Sequence, residues 1–223
     1  MLNRTFAAMF VMALLVACSA KSVDLQPAFE SASPSTQYDS LLARLDSGYE
    51  VDFQALRFAY SESPQYSPYD RTVRELRDSA FVALEAGEPQ KALQFSKVIL
   101  ETNYVYPSAH LASMLAYEVL GDSARAAYHQ YVAWGLVESI AQSGSGRSTD
   151  EALVVIAVDE EFAYLASRGL QRMSQSLLKV GGVPYDHLVV KPADADTSFS
   201  LYFDISRPWR WLEAKVKDPE SEK

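Results

Sequence analysis

The sequence predicts an α+β domain, helical first and β-rich towards its end, and three observations carry that reading. From Asp70 to Ile140 apolar residues recur at helical spacing with few interruptions. Inside that stretch a pattern returns: Gly87-Glu88-Pro89-Gln90-Lys91-Ala92 is followed 34 residues later by Gly121-Asp122-Ser123-Ala124-Arg125-Ala126. The last third then changes period. Gln175 to Val180, Tyr185 to Lys191 and Phe199 to Ile205 are strand-like runs, parted by Gly181-Gly182 and by the turn Pro192 to Thr197. That arrangement predicts an antiparallel meander.

The chain starts with one basic residue, Arg4, and an apolar run from Phe6 to Leu15. Ten residues of helix rise about 15 Å, half the hydrocarbon core of a bilayer, so the run is a secretory signal rather than a span. Its end, Leu15-Val16-Ala17-Cys18, resembles the lipobox of bacterial lipoproteins. The resemblance implies cleavage before Cys18 and lipidation of its sulfur; an ordinary signal peptide with an incidental cysteine is the alternative. Two or three acyl chains would anchor the chain firmly to the bilayer, since each buried methylene contributes about 0.8 kcal/mol. Ser19 in place of an aspartate favours the outer membrane, on its periplasmic face, by likeness to lipoprotein sorting. Cys18 is the only cysteine, so no intramolecular disulfide supports the fold.

The full chain carries 20 basic and 29 acidic side chains, a formal net charge of −9. Such a surface repels nucleic acid and anionic lipid, which excludes a nucleic-acid partner. The expected organisation is a signal over 1–17, a lipidated tether over 18–37, one globular domain over 38–217 and a tail over 218–223. Within the domain, 38–141 is helical and 150–217 is mixed.

Further elements follow in order. Tyr38 to Leu45 reads as a short helix before Gly48, and Val51 to Tyr60 as another, with Phe53, Leu56 and Tyr60 on one face. Pro64 and Pro68 then force a tyrosine-rich loop. The 34-residue period and its turns resemble tetratricopeptide repeats, with Gly ending one helix and a small Ala letting two helices approach. Two unrelated helical hairpins are the alternative. The segment 142–149 is a loop by composition and lacks the GK[ST] ending of a phosphate-binding loop. Leu153 to Ile156 reads as a buried strand. Asp159 is expected to cap a helix that carries Phe162, Leu165 and Leu170 to the core, with Glu160 and Glu161 as helix-start charges. Ser206 is expected to cap a last helix, Pro208 to Lys217, with Trp209 and Leu212 on the sheet.

Two stretches are familiar together. One runs from Val51-Asp52-Phe53 through Leu56-Arg57-Phe58-Ala59-Tyr60 to Tyr66-Ser67-Pro68-Tyr69. The other starts at Asp159-Glu160-Glu161-Phe162 and passes Gln175-Ser176-Leu177 and Tyr185-Asp186 to Leu201-Tyr202-Phe203-Asp204-Ile205. They resemble the bacterial family called domain of unknown function 4919, over roughly Val51 to Trp211. Phe162 departs from the tyrosine expected there. The resemblance implies a single domain and brings no activity, cofactor or site.

No catalytic set, metal site or cofactor motif is evident. The lone histidines His110 and His129 have no ligands at i+3 or i+4. Glu160 and Glu161 diverge by about 100° on a helix, which argues against a paired-carboxylate site. Arg57, Tyr60, Tyr66 and Tyr69 form the densest aromatic and basic cluster, readable as a recognition surface or as packing for the loop. Tyr117 and Tyr128 are expected to face a helical groove. Asp186 and His187, next to Tyr185, suggest acid–base work, although strand neighbours point apart. The leading expectation is a non-enzymatic envelope lipoprotein that binds a protein or peptide partner. The rivals are a small-ligand binder or hydrolase acting on cell-wall or sugar material, and a purely structural component.

Overall fold

The computed structural model describes residues 34–217, so Cys18, the signal, most of the tether and the tail lie outside the described residues. Six helices come first: α1 (Pro34–Asp46), α2 (Phe53–Ser61), α3 (Arg71–Glu85), α4 (Pro89–Thr102), α5 (Pro107–Val119) and α6 (Ser123–Ala141). A short 3₁₀ turn (Thr149–Glu151) leads into β1 (Leu153–Val154) and α7 (Val158–Ser167). The chain closes with β2 (Leu170–Val180), β3 (Val183–Pro192), β4 (Phe199–Asp204) and α8 (Ser206–Lys217). The architecture is α+β.

Helix limits follow from local chemistry. Asp52 opens α2 by accepting the amides of Gln54 at 2.8 Å and Ala55 at 3.1 Å, and Asp70 does the same for Thr72 and Val73. Pro89 and Pro107 occupy first-turn positions of α4 and α5, where a missing N–H costs nothing. Gly87 and Gly121 end α3 and α5 with φ of 72° and 75°. The next amides, of Glu88 and Asp122, reach back to the carbonyls of Ala83 at 2.8 Å and Tyr117 at 2.9 Å. Both ends of the 34-residue echo are therefore the same closed turn. Ala83, Ala92 and Ala116 meet in one buried cluster, so small side chains set the close approach of α3, α4 and α5.

The sheet has the order β1-β4-β3-β2. The meander β2-β3-β4 is antiparallel, as the alternation predicts, but β1 joins its edge in parallel, Leu153 opposite Phe203 and Val154 opposite Asp204. The sheet is therefore mixed. Two residues are too few to reveal their direction, which is set by a partner fifty residues away. Leu188, Val190, Leu201 and Phe203 bury one face of the sheet against Ile140 of α6, Leu153 and Leu165. A second core, with Leu56, Tyr60, Tyr66, Leu136 and Ile156, joins α1, α2 and α6. Trp209 packs on the sheet core and Trp211 on the helical one, whereas Leu212 is 39 % exposed.

Helix α7 differs from expectation at both ends. Its cap is Ala157, and Asp159 is the second residue of the helix. Gly169, with φ of 62°, turns the chain so that Leu170 starts β2 instead of extending the helix. No helix among the described residues is long and apolar enough to cross a membrane.

Candidate functional site

The first turn of α7 carries Asp159, Glu160 and Glu161, and all three are buried. A helix start favours acids because its free amides leave a positive end, but burial costs them their hydration. Each acid meets that cost differently, since neighbours 100° apart face different elements.

Glu160 faces α2. Arg57, itself fully buried, gives it two parallel hydrogen bonds, Nε to Oε1 at 2.7 Å and Nη2 to Oε2 at 2.6 Å. The same guanidinium donates to the Val154 carbonyl of β1 at 2.8 Å and to Ser139 Oγ of α6 at 3.1 Å. Glu160 Oε2 also accepts the Ile156 amide at 2.8 Å, and the Ile156 carbonyl takes the Tyr66 hydroxyl at 2.5 Å. One ion pair thus ties α2, α6, β1, α7 and the tyrosine loop together. Its flat, two-pronged geometry is the kind only arginine offers.

Asp159 faces α3 and α5. It accepts Arg77 Nη1 at 2.9 Å and Ser108 Oγ at 2.9 Å. Glu161 faces the sheet and forms no ion pair among the described residues, the Arg172 charge acting on it only at longer range. Neither of its oxygens has a conventional donor among the described residues, and its neighbour within hydrogen-bonding reach is the Asp186 carboxyl of β3. Two acceptors can bond only through a proton. Burial, then the Asp186 charge, pushes the Glu161 carboxyl up to about 9. Asp186 is steadied from its other side by Gln175 Nε2 at 3.1 Å.

Two concavities adjoin this turn and share Arg77 and Phe162. The first is a cleft of about 170 Å³ between the tyrosine loop, α3, the α4–α5 junction and the start of α7. Tyr69, Arg74, Asn103 and Tyr106 line it. The second is an apolar groove of about 600 Å³, walled by Phe81 of α3, Leu111 of α5, Trp134 and Val137 of α6, and Phe162 and Ala166 of α7.

The residues singled out in the sequence fall in several places. Arg57, Tyr60 and Tyr66 are interior and offer no surface; Tyr69 alone of that cluster reaches a cavity. Tyr117 and Tyr128 do not face the apolar groove. Tyr117 is six residues from Leu111 on α5, about 240° around the helix, and lines a separate depression beside His129. There Tyr117 stacks on His129, Tyr128 bonds the Tyr104 hydroxyl, and His110 joins the His129 Nδ1 at 2.9 Å and the Tyr104 carbonyl at 2.8 Å. Burial lowers His110 to about 3 and His129 to about 4. Asp186 and His187 point to opposite faces of β3: His187 sits between Ser176 and Ser200 and stacks on Tyr202. The described residues hold no group of three or more metal-binding side chains. A helical groove is present, but it is lined by Phe81, Leu111 and Trp134 rather than by the expected Tyr117 and Tyr128.

Fold and site define a single α+β domain whose helical layer is locked to a small sheet by the buried acids of one helix turn. The chain belongs to the family described as domain of unknown function (DUF4919), whose model matches residues 27–213. No curated protein and no solved structure matches it.

The Glu161–Asp186 contact has a pH signature. Unfolded, Glu161 releases its proton near 4.5, while the folded protein keeps it to about 9. Between these values the folded state binds the extra proton, so this contribution is full below about 4.5 and is lost as pH rises through about 9. His110 acts in the opposite sense, its contribution being lost as pH falls from 6.5 towards about 3. Urea unfolding as a function of pH should show stability declining on the alkaline side, with the decline flattened in Glu161→Gln. An unchanged slope in that variant would refute the shared proton.

Proposed function

We propose that the protein is an envelope lipoprotein, tethered through lipid on Cys18, whose apolar groove receives an apolar segment of another envelope protein. The reading makes it a binding module without chemistry of its own. The observation that carries it is the groove at α3, α5, α6 and α7, where Trp134 is 63 % exposed. A large aromatic left in water beside Phe81, Leu111 and Phe162 costs solubility unless a partner covers it. Tryptophan at the centre of such a patch is also the residue most often found to dominate binding energy. A hydrolytic reading through Tyr185, Asp186 and His187 has no comparable support, because Asp186 and His187 lie on opposite faces of β3.

A photo-crosslinking residue at position 134, in the full chain in cells, should capture one prominent envelope protein. The same residue at Val119, which is 70 % exposed and outside the groove, should not. Leu111→Asp should abolish the capture, and Trp134→Ala should weaken binding by about 2 kcal/mol with little change in stability. Identical captures from both positions, or indifference to Leu111→Asp, would count against the groove. The anchor is tested separately: Cys18→Ser should move the protein from the membrane fraction to the soluble one.

A further inference from the structure

We propose that the cleft between the tyrosine loop and the start of α7 is a binding site for a neutral sugar unit. This goes beyond the partner-binding groove, with which the cleft shares only a boundary. The volume of about 170 Å³ is many times the roughly 10–15 Å³ that admits a water, so a ring-sized ligand fits.

The walls carry one buried acceptor that the protein leaves unmet, beside polar side chains able to bond a ligand. The Asn103 amide oxygen is buried and has no hydrogen-bond partner among the described residues, and the buried Tyr106 hydroxyl lies beside Asp159 and Arg77. Arg74 reaches the same cleft from α3 and makes no ion pair among the described residues. A buried acceptor left unpaired costs free energy, and in native proteins such groups call for an explanation. Here the Asn103 oxygen, the Tyr106 hydroxyl and Arg74 border one space.

Charge decides the class of ligand. The lining cations, Arg74 and Arg77, are balanced by Asp70 and Asp159. Both acids are occupied, Asp70 by the amides of α3 and Asp159 by Arg77 and Ser108. The positive end of α7 is already opposed by the carboxylates of Asp159 and Glu160. No net positive charge remains to draw a carboxylate or phosphate. A ligand offering both donors and acceptors without charge suits the cleft, with donors for Asn103 and acceptors for Arg74. Tyr69 and Phe162 supply flat apolar walls for the C–H face of a sugar ring, and Tyr69 is held against Trp211 with ring centroids 6.0 Å apart. Concave sites of this kind join apolar walls to a few fixed polar groups.

The test is saturation-transfer NMR on the purified full chain with glucose, galactose, mannose and N-acetylglucosamine as probes, and acetate and phosphate as competitors. At least one sugar should receive magnetisation with a millimolar dissociation constant. Arg74→Ala and Asn103→Ala should each weaken it about tenfold or more. Arg74 is exposed, so its variant keeps the fold, and Asn103→Ala deletes an unmatched buried acceptor and should not lower the melting temperature. Trp134→Ala should leave sugar binding intact, which separates this site from the groove. Absence of transfer from all four sugars, transfer unchanged in the two cleft variants, or displacement by acetate or phosphate would each overturn the proposal.

Discussion

A guanidinium with no exposed surface must find all its partners inside the protein, and Arg57 meets that demand at the junction of five elements. Desolvating an arginine and a glutamate costs several kcal/mol for each ion, recovered only when geometry is good and every remaining donor is used. Arg57 comes close to both conditions, with four of its five N–H donors bonded to Glu160, Val154 and Ser139. The consequence is positional. Helix α2 cannot slide along α6 or α7 without leaving a buried charge unpaired. The Ile156 peptide, clamped by Glu160 on one side and Tyr66 on the other, fixes where the tyrosine loop lies. The cleft and the groove inherit their shape from that placement, because both are bounded by α7.

The rest of the turn shows how three adjacent acids serve three interfaces. Asp159 docks α3 and α5, Glu160 docks α2, and Glu161 docks β3 through a proton in place of a cation. An ion pair at Glu161 would be less sensitive to alkaline pH. The shared proton makes the helix-to-sheet contact the part of the fold that depends on pH above neutrality.

Much of this was legible in the residues. The Gly87 and Gly121 turns announce both hairpins because left-handed backbone selects glycine. The sheet meander follows from two-residue alternation, which also places Asp186 and His187 on opposite faces. The acids of α7 were harder. Helical spacing shows that Glu160 and Glu161 diverge, yet spacing says nothing about burial, and an acid at a helix start is ordinarily solvated. Apart from the Ile156 amide, the side chains they bond lie between 25 and 103 residues away, beyond any local pattern. The same holds for Arg57: the motif around it is recognisable, but nothing local distinguishes a buried guanidinium from an exposed one. The two-residue strand β1 and the groove wall formed by Trp134 likewise depend on tertiary neighbours.

A double-mutant cycle on Arg57 and Glu160 tests the central claim most directly. Arg57→Met and Glu160→Leu should each lower the free energy of urea unfolding by about 3–5 kcal/mol, because each strands a buried charge. The double variant should be substantially more stable than the sum of the two losses implies, since it removes both charges and leaves apolar volume. Single variants costing under about 1 kcal/mol, as for an exposed surface pair, or strictly additive losses, would contradict the account.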